Sequence, residues 1–394
     1  MSVNLLKYEV SLMSSNKMVK KIFVFLVTFY LLLLLTGNHS MAIYDPLAVA
    51  NNRVGIHIFD PGEITGAAEM INASGGEWGY VTVPIRIDDR RWDKWQKFMD
   101  SAKEKKVIPI LRLATVFEGD SWIKPVEDDI LDFANFLSSL TWPTLNRYII
   151  VFNEPNHAKE WGGEVSPEEY TEILRLTIDL FKSRSDKFFI LPAGLDAAAP
   201  DSATTLSIKK FITRMAKKDS RIFFTLDGWT SHAYPNPAFS GLPTDKGPAT
   251  IIGYRYEINY IKRWLGERKL PIFITETGWQ HENISVDVAA KYLSSAFGEI
   301  WTGKEIVAIT PFVFSAYDGP FTKFSFLEKG NETAKSQMMR NLKKVAGQPL
   351  IDQSETPKIT SLQPEATPPT DQSEIKSLLD LLNSALRLFR LDLN

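Results

Sequence analysis

Glu154 and Glu276 are the residues whose type and setting ask for chemistry. Glu154 ends an apolar run in "VFNEP", with Asn153 before it and Pro155 after it. Glu276 ends another in "FITETGW". Each run is rich in β-formers and carries its carboxylate to the last position of a strand. A charge there is unfavourable unless it has partners or a task. Two such carboxylates brought together can divide a reaction between them. One protonates a leaving oxygen and the other attacks an anomeric carbon, which is the pair that glycoside hydrolysis needs.

Such a pair requires elements that bring residues 122 positions apart to one place, and the chain between residues 53 and 346 has them. Short β-rich runs alternate with longer stretches of helical periodicity. Eight strands are expected, over 53–59, 78–87, 107–114, 147–154, 187–194, 226–234, 270–278 and 305–314. Several are apolar on consecutive positions, as parallel strands covered on both faces are. Between them lie amphipathic segments; one opens on Ser166, Pro167 and Glu169, the signature of a helix start. Eight such units predict an α/β fold, a (β/α)8 TIM barrel spanning residues 50–346, with its site at the C-terminal ends of the strands. An open doubly wound sheet is the competing layout, and "VGIHIFDPGEI" lacks the glycine fingerprint that layout often carries.

Placed on that barrel, other side chains gather at the same rim. His57, His157, His232 and His281 fall on or just after strands 1, 4, 6 and 7. Trp161 and Trp279 lie just beyond strand ends, Trp229 lies on strand 6, and Trp122 sits in the long loop after strand 3. Flat apolar faces of this kind suit the stacking of a sugar ring.

The motifs resemble the clan A retaining glycoside hydrolases, which include families 5, 39 and 53. Asn153-Glu154-Pro155 matches the Asn-Glu-Pro that supplies the acid/base after strand 4. Thr275-Glu276-Thr277-Gly278 matches the nucleophile segment after strand 7, and His232-Ala233-Tyr234 matches the His-x-Tyr after strand 6. The resemblance implies a barrel enzyme acting on a β-linked saccharide by double displacement. It implies that Asn153 bonds the sugar 2-hydroxyl, that Tyr234 donates to Glu276, and that His232 lies beside the sugar. An arginine should hold Glu276 ionised; Arg86, ending strand 2, is favoured over Arg112 on strand 3. The substrate-contacting set is then Asn153, His232, Tyr234, Arg86, His57, Trp279, Trp161 and Trp229. Two departures keep the substrate open. After strand 8 the chain has Phe312, Phe314 and Tyr317 where a tryptophan is common, and strand 3 ends "LRLA" without the usual histidine or asparagine.

Composition bounds the rest. The 394 residues carry 45 basic and 47 acidic side chains, so nothing in the charge balance calls for nucleic acid. There is no cysteine, which excludes disulfides, thiolate chemistry and a lipid-anchored cysteine. No phosphate loop or paired metal-ligand cluster is found, so neither cofactor nor metal is expected. Residues 1–42 read as a secretory signal: Lys17, Lys20 and Lys21, an apolar run over 22–35, then "SMA" at 40–42. The mature protein is expected to be secreted, or held at the cell surface if the segment stays as a membrane anchor. Residues 347–372, rich in proline, read as a linker, and 373–394 as an amphipathic helix that docks or self-associates.

Two other readings compete. One is a catalytically inactive barrel that only binds saccharide, which would not need both carboxylates. The other is a metal-dependent barrel hydrolase, which "GIHIF", with one histidine, does not favour; a chelator separates it.

Overall fold

The computed structural model describes residues 43–352. Eight parallel strands form its centre: β1 Gly55–His57, β2 Gly79–Arg86, β3 Val107–Ala114, β4 Arg147–Val151, β5 Phe188–Pro192, β6 Trp229–His232, β7 Ile272–Glu276 and β8 Ile306–Ile309. β1 to β5 pair in chain order, and β6, β7 and β8 pair in chain order. Parallel bridges close both seams, Val54 to Ile309 between β1 and β8, and Asp196 to His232 beyond β5 and β6. A closed ring in sequence order is the expected (β/α)8 barrel and rules out the open sheet. Each expected strand is present, but most are shorter than their apolar runs.

Helices cover the outside: α1 Ile64–Ile71, α2 Trp92–Glu104, α3 Glu127–Ser138, α4 Pro167–Arg184, α5 Ile208–Asp219, α6 Gly253–Leu265, α7 Val286–Ser295 and α8 Ala334–Asn341. α4 starts at Pro167, whose missing N–H is no loss in a first helical turn. The residues that face outward from the strands, Ile56, Val81, Val83, Leu111 and Ile149 among them, pack with buried helix residues such as Trp95, Phe133 and Phe181.

The inward-facing residues form a separate core. Tyr80, Ile110, Tyr148, Ile150, Phe189 and Phe273 fill the lower barrel, and Ile43, Leu47 and Trp78 stopper it from below. Above this apolar layer Thr82 and Thr310 share a hydrogen bond of 2.9 Å. The next layer towards the C-terminal rim is charged. The barrel thus positions the site by its pleat: each step of two residues along a strand moves a side chain up one layer.

Residues 347–352 correct the expected linker boundary. Proline content places them in the linker, yet they close the bottom of the barrel. Leu350 accepts from the Leu145 N–H at 2.7 Å. Asp352 is buried and pairs with Arg147 at 3.0 Å and Lys187 at 2.9 Å. The signal or anchor, residues 1–42, and the C-terminal helix, 373–394, lie outside the described residues. Among the described residues no helix is long and apolar enough to cross a membrane.

Candidate active site

β7 delivers Glu276 as its last residue, buried at the barrel mouth. The chain leaves β4 at Val151 and turns sharply, with Phe152 at φ 69° and Glu154 at φ 32°. Side chains other than glycine rarely adopt these angles. The turn is held by the Glu154 N–H, which donates to the Gly194 carbonyl at 3.1 Å. It aims Glu154 across the mouth towards Glu276.

His232 joins the two carboxylates. Its Nδ1 lies 2.7 Å from Glu154 Oε1 and 3.8 Å from Glu276 Oε2. One donor atom each from Glu154, His232 and Glu276 lies within 4.8 Å of the others. By residue type this trio could also hold a cation, but Nδ1 already serves Glu154. Burial disfavours a charged His232, yet the charge of Glu276 and the bond to Glu154 outweigh it and raise its proton affinity. Gly194 makes room for this ring. A Cβ there would stand 2.1 Å from His232 Cδ2, so only glycine permits the approach.

Glu276 is surrounded by donors. Arg112 Nη1 donates to Oε1 at 2.6 Å, and Tyr234 Oη donates to Oε2 at 3.1 Å. Burial alone would raise the pKa of Glu276, but His232, Arg112 and the tyrosine hydroxyl overcome it and hold the carboxyl well below the usual range. Tyr234 is pushed in the opposite direction, by burial and then by the charges of Glu276 and Glu154, so it remains a donor.

The pair opens into a cavity of about 370 Å³. Arg112, Asn153, Glu154, Glu160 and Asp196 make a polar side, while Phe59, Phe239, Phe312, Phe321 and Phe324 make an aromatic one. Trp122 also lines it, at the end of a two-stranded ribbon, Phe117–Glu118 with Ser121–Trp122.

Several expected contacts are placed differently. Arg86 lines the cavity but does not reach Glu276; its Nε and Nη2 bond Asp88 at 2.7 and 2.5 Å. Strand register decides this. Arg112 lies level with Pro84, and Arg86 lies level with Ala114, one layer higher at the rim. The favoured arginine is therefore the wrong one of the two. Trp161, Trp229 and Trp279 are buried and absent from the cavity wall. Trp161 packs edge-on to Phe152 and Tyr170, Trp229 donates to Glu257 at 2.7 Å, and Trp279 donates to the Gly241 carbonyl at 2.7 Å. They are core residues, and Phe312 and Trp122 offer the aromatic surface instead.

His57 and His232 are likewise behind the cavity wall rather than on it. His57 is fully buried with Nε2 3.7 Å from Glu276 Oε1, and burial followed by Arg112 lowers its pKa to about 3. It is a neutral ring packed against the carboxylate. His157 sits at the edge with Nε2 2.8 Å from Asp196. His281 lies apart from the cavity. Asn153 and Tyr234 are where the motifs put them. Glu160 escapes motif reading; a half-buried acid six residues past Glu154 has no distinguishing sequence signal.

No family model matches the chain, and no curated protein matches it. Solved structures do resemble it. One is a family 39 glycoside hydrolase from the gut symbiont Bacteroides cellulosilyticus, 17% identical with a TM-score of 0.51. That match covers 76% of this chain and 65% of the other, so this chain spans less than two thirds of that protein. Another is GH5_18 from Streptomyces cattleya in complex with GlcNAc, 14% identical with a TM-score of 0.54, covering 74% of this chain and 79% of the other. At such identities the likeness establishes a shared barrel fold.

Proposed function

We propose that this protein is a retaining glycoside hydrolase that cleaves a β-linked saccharide by double displacement. The observation that carries the reading is the mouth of the barrel: Glu154 and Glu276 present oxygens within 4.8 Å of each other, with Glu276 ringed by Arg112 and Tyr234. Retaining enzymes hold their carboxyls about 5–5.5 Å apart, whereas inverting ones leave roughly 6.5–9.5 Å for a water. The barrel neighbours solved with GlcNAc or with Manb1-4GlcNAc support a carbohydrate substrate.

In the first step a Glu276 oxygen attacks the anomeric carbon. The glycosidic C–O bond breaks as Glu154 gives its proton to the departing oxygen, and the alcohol leaves. The sugar is then an ester of Glu276, whose negative charge is gone. In the second step Glu154 takes a proton from water, the hydroxide attacks the anomeric carbon, and the ester bond breaks to restore the Glu276 carboxylate. His232 steers the Glu154 carboxyl through Nδ1. Arg112 and Tyr234 favour Glu276 as an ionised nucleophile before the attack.

The inactive saccharide-binding alternative gains nothing from this geometry, since a binding cleft has no use for two facing carboxylates. Export of the protein, by the segment at 1–42, remains part of the proposal. Proton NMR of the first anomer released from an aryl β-glycoside tests the mechanism. The β anomer is expected; an α anomer sinks Glu276 as nucleophile. Glu276→Ala is expected to abolish turnover, and azide is expected to rescue Glu154→Ala as the β-glycosyl azide.

A further inference from the structure

Asn153 stands between a donor and an acceptor. Its Oδ1 accepts from Arg112 Nη1 at 2.5 Å, and its Nδ2 donates to Glu160 Oε2 at 3.2 Å. The same Arg112 nitrogen donates to Glu276 at 2.6 Å. A continuous chain of bonds therefore runs Glu160, Asn153, Arg112, Glu276. Guanidinium can only donate, and an ionised carboxylate can only accept. An amide turned the other way would set its NH2 against Arg112 and its oxygen against Glu160. The two ends together determine which way the amide faces.

We propose that Glu160 is a positioning residue of this site: it holds the Asn153 amide so that its second N–H serves a substrate hydroxyl while its oxygen shares Arg112 with Glu276. The inference rests on the hydrolase reading above and deepens it. Asn153 and Glu160 both line the cavity, and an amide has two N–H donors, of which Glu160 takes one. Asn153 Nδ2 is its only side-chain partner among the described residues, and no cation is paired with it, so a surface ion pair does not explain its place. Burial and then the charge of Glu154 raise its proton affinity, against the pull of the Asn153 amide and of Arg112. Keeping a carboxyl in such a position is unfavourable, as is common where a group has work to do.

The prediction separates Glu160 from an ordinary wall residue by its dependence on Asn153. The kinetic probe is a panel of 2,4-dinitrophenyl β-glycosides, using the full chain. Glu160→Ala is expected to lower kcat about tenfold, the scale of one charge-assisted hydrogen bond, with a smaller change in KM. Glu160→Gln, which can still accept, is expected to recover most of that loss. In an Asn153→Ala background Glu160→Ala is expected to cause little further loss. Equal losses in both backgrounds overturn the inference. A second measurement does not need turnover: the side-chain amide resonances of Asn153, from selectively 15N-labelled protein at pH 7, are expected to move in Glu160→Ala. Resonances that stay put overturn it as well. If no panel member is hydrolysed the hydrolase reading falls, while the amide resonances still decide the role of Glu160.

Discussion

Arg112, on β3, donates from Nη1 to Glu276, at the end of β7, at 2.6 Å across the barrel mouth. Both side chains are largely buried, 14% and 10% exposed, so solvent screens the contact weakly. The bond brings a permanent charge to the carboxylate proposed to attack the sugar.

Arg112→Met is therefore expected to lower kcat/KM by about 100-fold or more, the scale of losing one fixed electrostatic partner at a reacting charge. Arg86→Met, whose side chain is engaged with Asp88, is expected to lose far less. The acid limb of the kcat/KM profile should move to higher pH in Arg112→Met, because Glu276 loses a cation that keeps it ionised. An unmoved limb, or a reversed order of the two variants, contradicts the assignment.

Gly194→Ala is expected to damage turnover more than its size suggests. The added methyl meets the His232 ring at 2.1 Å, so the ring or the Gly194 segment must shift. Overpacking of this kind costs about 1–3 kcal/mol. Because His232 Nδ1 bonds Glu154, the shift should reach the proposed proton donor, and kcat should fall on substrates with poor leaving groups. A variant with an altered melting temperature and unaltered kcat would show that the ring does not position Glu154.

Glu257, on α6, is buried behind β6, where it accepts from Trp229 Nε1 at 2.7 Å and Ser231 Oγ at 2.8 Å. Burial raises its pKa to about 7 despite these two donors. The folded protein then holds a proton that the unfolded chain loses above its ordinary value of 4.5. By linkage this contribution is fully present below about pH 4.5 and is lost as pH rises to about 7, by on the order of 3 kcal/mol. Glu257→Gln can accept from Trp229 and donate to Ser231, so it should fold. Urea denaturation between pH 4.5 and 7 should show the slope reduced in the variant; equal slopes reject Glu257 as its source.

Two truncations should behave differently. Ending the chain after Ala346 removes Asp352 and leaves the buried Arg147 without its carboxylate. Stranding one member of a buried pair costs about 3–5 kcal/mol, enough for a large drop in melting temperature. Ending it after Gln353 keeps Asp352 and is expected to leave the barrel folded. Equal melting temperatures for both would mean that residues 347–352 contribute nothing to the barrel.

The sequence by itself determined the number and order of the strands and singled out the two carboxylates that meet at the barrel mouth. Both are local matters. Apolar β-rich runs mark strands wherever they lie, and an acid at the end of such a run is conspicuous because it is unfavourable there. Asn153 and Tyr234 were legible for the same reason, being within a residue or two of a strand end. Other assignments depended on distances between strands, which local pattern does not carry. Arg86 and Arg112 are alike in type and setting, but the register of β2 against β3 sets Arg86 one layer above Arg112, and Arg112 is the one that bonds Glu276. Trp161, Trp229 and Trp279 stand near strand ends too, but the way each side chain turns decides between the cavity and the core, and all three turn to the core. Glu160 gained its place through one bond to Asn153, and residues 347–352 through pairing with Arg147 and Lys187. Closing the barrel brought these partners together, and the tertiary structure alone decided them.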